Sequence, residues 1–521
     1  MSNKFYITTP IYYVNDVPHI GHTYTTVAAD VLARFHRMIG ENTFFLTGTD
    51  EHGAKIEEMA KKSKKSSAEF TNEISAKFKI AWDELDISYN NFIRTTDPNH
   101  KKAVQNALSY MYKKGDIYKG KYKGLYCRGC EQYKSKRDLV NGKCPEHNKK
   151  PEMISETCYM FKLSKYKKEL LNKIKKDQIK IRPLERKKEI VNFYEKKGLS
   201  DISFSRENVK WGIPLPWDKS QTAYVWAEAF LNYLPGLGWS GPRSGLTDSE
   251  AVKPLVKNFW PPDLQLMSKD ILRVHATIWP AMLLSLGLQL PKQIFVHGYF
   301  LINNQKMSKS LKNVISPEEL IKKYGVDGTR YLLMSATSFG HDGDINWEWF
   351  DKKYNADLAN GIGNLMARSA TLAEKMQKSC LPADKTNIKN QISKIKKNII
   401  WDNYKNNFKE IKIDKVLELI NKEIKEVDSY ITKEKPWELI KNKDKRSGII
   451  IYNILEQLRL LAWMLWPIMP ETAEKIWQQL GLNMQEELKK DFKKAIKWGG
   501  LEIDIKVKKG KVLFPRITNL N

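Results

Sequence analysis

The first fifty residues alternate in a way that few folds accommodate. Residues 5–13 are rich in β-branched and aromatic side chains and read as a strand. After Pro18, the residues Val27, Val31, Phe35 and Ile39 recur at every fourth position, the period of a buried helix face, and Gly40 is its stop. Residues 43–47 form a second apolar run that ends at Gly48-Thr49-Asp50. Strand, helix and strand in this order make a βαβ unit, which requires parallel pairing and a right-handed crossover. Ligands of such sheets bind at the carboxyl ends of the strands. Residues 10–22 and 48–53 both fall there.

The alternation breaks over residues 116–200, which hold a Gly- and Cys-containing segment and then a Lys-rich stretch. These residues read as an insertion between two halves of one α/β domain. Alternation resumes near residue 201. Residues 293–300 are a further strand candidate, followed by a loop over 303–313. From about Asp351 the chain turns helical, with helices expected over 356–373, 414–430, 448–466 and 471–480, punctuated by Pro436, Pro467 and Pro470.

A chain of 521 residues suits roughly two to four domains. With 41% hydrophobic and 11% aromatic residues it is not disordered as a whole, and five Cys cannot staple it. No apolar run reaches the roughly 18 residues of a membrane span. Residues 1–13 show neither a secretory nor a transit pattern, so a soluble, cytoplasmic chain is expected. The net charge of +28, from 88 Lys+Arg against 60 Asp+Glu, fits a polyanionic partner. Solvated helices over 167–188 and 385–445 account for it equally well.

Two short motifs carry phosphate chemistry. In His19-Ile20-Gly21-His22 the imidazoles are three residues apart at the start of a helix, so they share a face. Gly21 admits close approach, and a helix N-terminus already favours anions. Helix-capping or core histidines are the bland alternative. Lys306-Met307-Ser308-Lys309-Ser310 lies in a loop after a strand, with Gly298 upstream. Its two lysines suit a clamp on polyphosphate, and a solvated Lys turn is the alternative.

A third cluster is independent of these. Cys127-x2-Cys130 and Cys144-x2-His147 are separated by thirteen residues. Three thiolates and an imidazole at this spacing suit tetrahedral Zn2+ over reduced structural thiols. Four protein ligands would close the site, making it structural, with Gly129 and Gly142 easing tight turns.

The order of the first two motifs, one after the first strand and one after a late strand, resembles the class I aminoacyl-tRNA synthetases. Their HIGH and KMSKS signatures are both present letter for letter. The segments 8–15, 47–53, 211–216 and 269–272 narrow the resemblance to the methionyl-tRNA synthetase family, over about residues 4–480. The resemblance implies an α/β fold: a Rossmann-like parallel-sheet catalytic domain with a zinc-knuckle insertion, followed by an all-α anticodon-binding helical bundle. The expected divisions are 1–115 and 201–325 for the catalytic halves, 116–200 for the insertion, 326–355 for a stem-contact linker and 356–521 for the anticodon domain.

The implied reaction joins L-methionine to tRNA(Met) through methionyl-adenylate, with ATP and its Mg2+ as co-substrate. His19, His22, Lys306 and Lys309 would be catalytic. His19, Gly21, His22, Asp270, His297, Gly298 and Lys309 would bind ATP, with His52 a lesser candidate. Ile271, His275 and Trp279 are spaced i, i+4, i+8, with Pro280 expected to end or kink their helix. Trp226, Ala229, Phe230 and Tyr233 follow i, i+3, i+4, i+7. Core packing explains both stripes by itself. The resemblance makes Trp226, Ala229, Tyr233, Ile271, His275 and Trp279 a methionine pocket completed by Ile11, Tyr13 and Asp50. Asn364, Arg368 and Trp437 match the positions that read the anticodon.

Two residues depart from the family pattern: Glu228 where Asp is usual, and Ser268 where Gly is usual. No dimerisation module is apparent, so a monomer is expected. The rival readings are a class I synthetase for another apolar amino acid and a non-catalytic RNA-binding paralogue.

Overall fold

Seven strands, all parallel to their neighbours, build the central sheet. Its order is Asn91–Arg94, Asn42–Asp50, Lys4–Thr8, Leu264–Ser268, Gln293–His297, Lys180–Arg182. Tyr12–Tyr13 is the seventh strand and continues along Asn42–Asp50 beyond Lys4–Thr8. The computed structural model of the chain describes residues 4–127, 132–134, 138–145, 148–242, 254–302, 305–306, 314–378, 398–502 and 505–518.

The expected strand over residues 5–13 is thus two strands. Pro10 has no N–H to give to a ladder. Pairing stops after Thr8, opposite Leu46, and resumes at Tyr12, opposite Thr49. One strand advances four residues while the other advances three, so Thr9–Ile11 bulge out of the sheet at its carboxyl edge. The strand expected over 293–300 also divides. Gln293–His297 stays in the sheet, and Phe300–Ile302 joins a small one with Gln305–Lys306 and Gly343–Ile345. The break falls at Gly298, where a Cβ would lie 2.3 Å from the His341 carbonyl group, so only glycine fits.

Helix Ile20–Met38 fills the crossover between the first two long strands, and Gly40 follows its end with φ +88°. The expected insertion is narrower than residues 116–200. An antiparallel ribbon of Ile117–Cys127 and Glu152–Phe161 leaves the domain, but Lys180–Arg182 returns as the edge strand of the parallel sheet.

Helix Leu272–Ser285 continues past Pro280 and does not end there, where a stop or kink was expected. Pro280 cannot donate to the carbonyl of Ala276. The hydroxyl of Tyr194, on helix Leu184–Lys196, donates to that carbonyl instead at 2.8 Å. A side chain from another element thereby satisfies the acceptor that the proline leaves open.

The C-terminal part is helical, as expected. Asn364–Lys378, Asn398–Lys409, Ile413–Glu434, Arg446–Leu465 and Pro470–Gln479 form a bundle. Arg446–Leu465 is long and apolar enough to cross a membrane, but nearly all of it is buried in the bundle. One hydrophobic core runs from helix Ile20–Met38 into the bundle, and a second lies on the other face of the sheet. The chain end returns to the domain junction: Asn355 exchanges two 2.9 Å hydrogen bonds with the backbone of Ile517.

Candidate active site

A cleft of about 500 Å³ opens where the parallel strands end. Tyr13, Asp50, Ser268 and His297, each the last residue of its strand, all reach it.

One end of the cleft is polar. His19 is the N-cap of helix Ile20–Met38, and its Nδ1 accepts from the Gly21 N–H at 3.0 Å. The Nδ1 of His22 accepts from the His19 N–H at 3.3 Å, completing a reciprocal cap. The two rings stack with centroids 3.9 Å apart. An Nδ1 that accepts leaves the proton of a neutral imidazole on Nε2. Burial, with the neighbouring His19, holds the His22 pKa well below its ordinary value, so that ring is neutral. The capping alternative and the phosphate-site reading therefore describe the same pair.

His297 stands opposite. Its Nε2 accepts from the Thr25 hydroxyl at 2.7 Å, and its Nδ1–H donates to the Gly298 carbonyl at 2.7 Å. Burial pushes its pKa down to about 4. Thr25 lies one turn beyond His22 on the same helix face, which is the signal by which the sequence could have shown it. Asp270 and Gly298 also line this end.

The other end is apolar and aromatic. Ile11, Trp226, Ala229, Phe230, Tyr233, Ile271 and His275 line it. Trp226 stacks on Phe230, whose ring meets His275 edge-on. His275 is fully engaged: Nδ1–H donates to the Ile271 carbonyl at 2.9 Å, and Nε2 accepts from the Tyr233 hydroxyl at 2.9 Å. Burial lowers its pKa to about 4. Trp279 is not on the wall. It packs behind Phe230 and Tyr233, with its indole N–H on Gln265 at 3.1 Å.

Strands Phe300–Ile302 and Gln305–Lys306 lead from the cleft into the Lys306–Ser310 motif, and Lys306 ends the second of them. Lys309 lies outside the described residues. On the far side Val314 lines the cleft, and the Ile315 carbonyl accepts from the N–H of Ile20 at 3.0 Å. The exit of the motif is therefore tied to the helix that His19 caps.

Of the four proposed zinc ligands, Cys130 and His147 lie outside the described residues. Cys127 and Cys144 are buried thiols, neither in a disulfide. Val140 and Lys143 exchange backbone hydrogen bonds around Asn141-Gly142, both at positive φ, and this tight hairpin delivers Cys144. Thiols are donors of the right chemistry for Zn2+, and the described residues hold two of the four, one at a strand end and one after a tight turn.

The family model "tRNA synthetases class I (M)" matches residues 5–150 and 137–370, and "Anticodon binding domain of methionyl tRNA ligase" matches 383–521. The methionine–tRNA ligase of Clostridium acetobutylicum is 42% identical over 99% of this chain and 78% of its own. That of Streptomyces coelicolor is 39% identical over 99% and 97%. The Mycobacterium tuberculosis methionyl-tRNA synthetase in complex with methionyl-adenylate superposes with a TM-score of 0.88 at 32% identity, over 99% of this chain and all of that one. The chain belongs to the methionyl-tRNA synthetase family. The activity of this family is methionine–tRNA ligation.

Both departures from the methionyl-tRNA synthetase pattern have a place in the structure. Ser268 ends a strand in ordinary extended backbone, so no positive φ is at stake there. Glu228 does not reach the cleft, where a contact to substrate or ribose was considered. Its carboxylate is buried between His52 and His100, and His52 likewise stands off the cleft. Asn364 and Arg368 share helix Asn364–Lys378; Arg368 pairs with Asp428, while Asn364 is exposed. Trp437 is 40% exposed, not a buried bundle residue.

Proposed function

We propose that the chain carries out both steps of methionine–tRNA ligation in this one cleft, with the residues above in the following roles. The carboxylate of methionine attacks the α-phosphorus of ATP, forming methionyl-adenylate and releasing pyrophosphate. A terminal ribose hydroxyl of tRNA(Met) then attacks the activated carbonyl and releases AMP. The observation that carries the proposal is the pair His19 and His22. Each commits Nδ1 to the helix end and lines the cleft with a ring whose remaining proton is on Nε2. Such fixed donors suit charge that builds on a phosphate in the transition state.

Gly21 admits the phosphate chain, and Asp270, His297 and Gly298 flank the nucleotide. Lys306 and Lys309 hold the β- and γ-phosphates as they leave, and Mg2+ accompanies ATP. Asp50 pairs with the α-ammonium. Ile11, Tyr13, Trp226, Ala229, Tyr233, Ile271 and His275 surround the thioether, which packs well on aromatics, and Trp279 backs them.

Asn364, Arg368 and Trp437 read the anticodon; the exposed indole supports this, because single-stranded bases stack on aromatics. Cys127, Cys130, Cys144 and His147 hold a structural Zn2+ that ties down the ribbon's end, and metal analysis should find one zinc per chain. The proposal takes residues 1–115 and 201–325, together with the edge strand Lys180–Arg182, as the catalytic part, 326–355 as the stem contact and 356–521 as the anticodon domain. It also places a monomer in the cytoplasm, which sedimentation and localisation would test.

The test is charging of tRNA(Met) with labelled methionine. Trp437→Ala should impair charging while leaving adenylate formation intact. Failure to charge tRNA(Met) under conditions that form adenylate would overturn the second step.

A further inference from the structure

Glu228 is a buried carboxylate that the mechanism above does not use. It sits on the five-residue helix Val225–Ala229, between Trp226 and Ala229 on the cleft wall, and its side chain points the other way. Oε1 accepts from His52 Nδ1–H at 2.9 Å, and Oε2 accepts from His100 Nε2–H at 3.0 Å. All three side chains are nearly inaccessible. His52 follows Asp50 by two residues, just past the strand that forms the facing wall. His100 stands on helix Pro98–Lys113.

We infer that Glu228, clamped by His52 and His100, is a positioning residue that sets the width of the side-chain end of the cleft. The inference rests on the methionine reading of that cleft. The helix has no side-chain N-cap and continues directly into the 3-10 turn Phe230–Tyr233, so what its side chains meet sets its position more than its own few hydrogen bonds do. Apolar packing holds Val225, Ala227 and Phe230, and the Glu228 carboxylate ties the same segment to His52 and His100 on two other elements. The carboxylate is the rigid link. Burying it is costly unless both oxygens are paired, and the imidazoles pair them from two different elements. The link thereby fixes Trp226 and Ala229 relative to Asp50. Apolar pockets separate substrates that differ by one methylene by only about 10–200-fold, so a small shift of this wall registers directly in selectivity. The extra methylene of Glu over Asp gives the carboxylate its reach to both rings.

The test measures amino-acid-dependent ATP–pyrophosphate exchange in the full chain, for methionine and for ethionine, which is one methylene longer. Glu228→Gln and His100→Ala should raise KM for methionine about tenfold and reduce the preference over ethionine, with KM for ATP within about twofold. His100→Gln places an amide N–H where Nε2–H was and should restore both values. Unchanged methionine KM in His100→Ala overturns the inference, as does a parallel rise in the ATP KM, which would mean general loosening. If Glu228→Gln does not fold, the His100 pair decides alone. No exchange by the unmutated chain would overturn the methionine reading and this inference with it. Exchange by the unmutated chain with unaffected variants overturns this inference only.

Discussion

The guanidinium of Arg330 lies 2.7 Å from the carboxylate of Asp30, and both side chains are fully buried. Asp30 stands in the middle of the helix that His19 caps. Arg330 also donates to the carbonyls of Ile468 at 2.8 Å and Pro467 at 3.2 Å, in the turn between two bundle helices. One side chain thus joins the helix at the head of the cleft to the helical domain.

Removing Arg330 leaves a buried carboxylate with Arg34 as its remaining guanidinium partner. Arg330→Met should cost about 3–5 kcal/mol of stability. Arg330→Lys keeps the charge but cannot reach every acceptor. It should lower tRNA charging more than methionine-dependent exchange, as compared in parallel assays.

Two carboxyls at this junction should oppose each other in pH dependence. Burial alone would push Asp30 up, but Arg34, Arg330 and Ser88 hold it well below the usual carboxylate range. Its stabilisation is present at neutral pH and is lost only as pH falls below the unfolded carboxyl value. Burial raises Asp327 to about 6, despite its hydrogen bond to the Thr472 N–H. A raised carboxyl stabilises below its unfolded value of about 4, and that contribution disappears as pH rises through 6. Asp327→Asn keeps the acceptor and should gain stability above pH 6, up to about 2–3 kcal/mol. Thermal melts from pH 5 to 8 check this: the melting-temperature gap between variant and parent should widen with pH.

The neutral state of His22 predicts a flat profile. Its pKa lies well below the ordinary value, and His297 is at about 4, so neither should titrate between pH 6.5 and 8. Exchange rates should show no inflection there that His22 or His297 carries. His22→Ala should lose about 100–1,000-fold in rate, as for a lost transition-state donor. An inflection near 6.5 that vanishes in this variant would mean that the ring works as a cation.

Tyr194→Phe should orphan the Ala276 carbonyl beneath Pro280 and cost about 1–3 kcal/mol. Pro280→Ala restores a backbone N–H to that carbonyl. The same tyrosine change should cost much less in that background, and denaturant melts of the four proteins give the coupling directly.

The βαβ opening, the helical second half and the placing of His19 and His22 at a helix start were legible in the sequence because periodicity and spacing encode them locally. Residues whose role depends on a distant partner were not. Pro280 argued for a helix end, and only Tyr194, far away in sequence, explains why the helix continues. Trp279 shares its helical spacing with His275 but turns behind the wall, a distinction that periodicity cannot make. Lys180–Arg182 lies in a Lys-rich stretch that reads as insertion, and its pairing with Gln293–His297 is decided by the sheet edge. Glu228 and His52 passed for site residues by proximity to motif letters, while the fold aims them at each other.

The central claim is that this cleft activates methionine. ATP–pyrophosphate exchange measured with methionine, leucine and valine in turn, with Lys309→Ala as control, tests it most directly. Exchange with methionine that collapses in Lys309→Ala is the predicted result. Exchange with leucine or valine and none with methionine would contradict it.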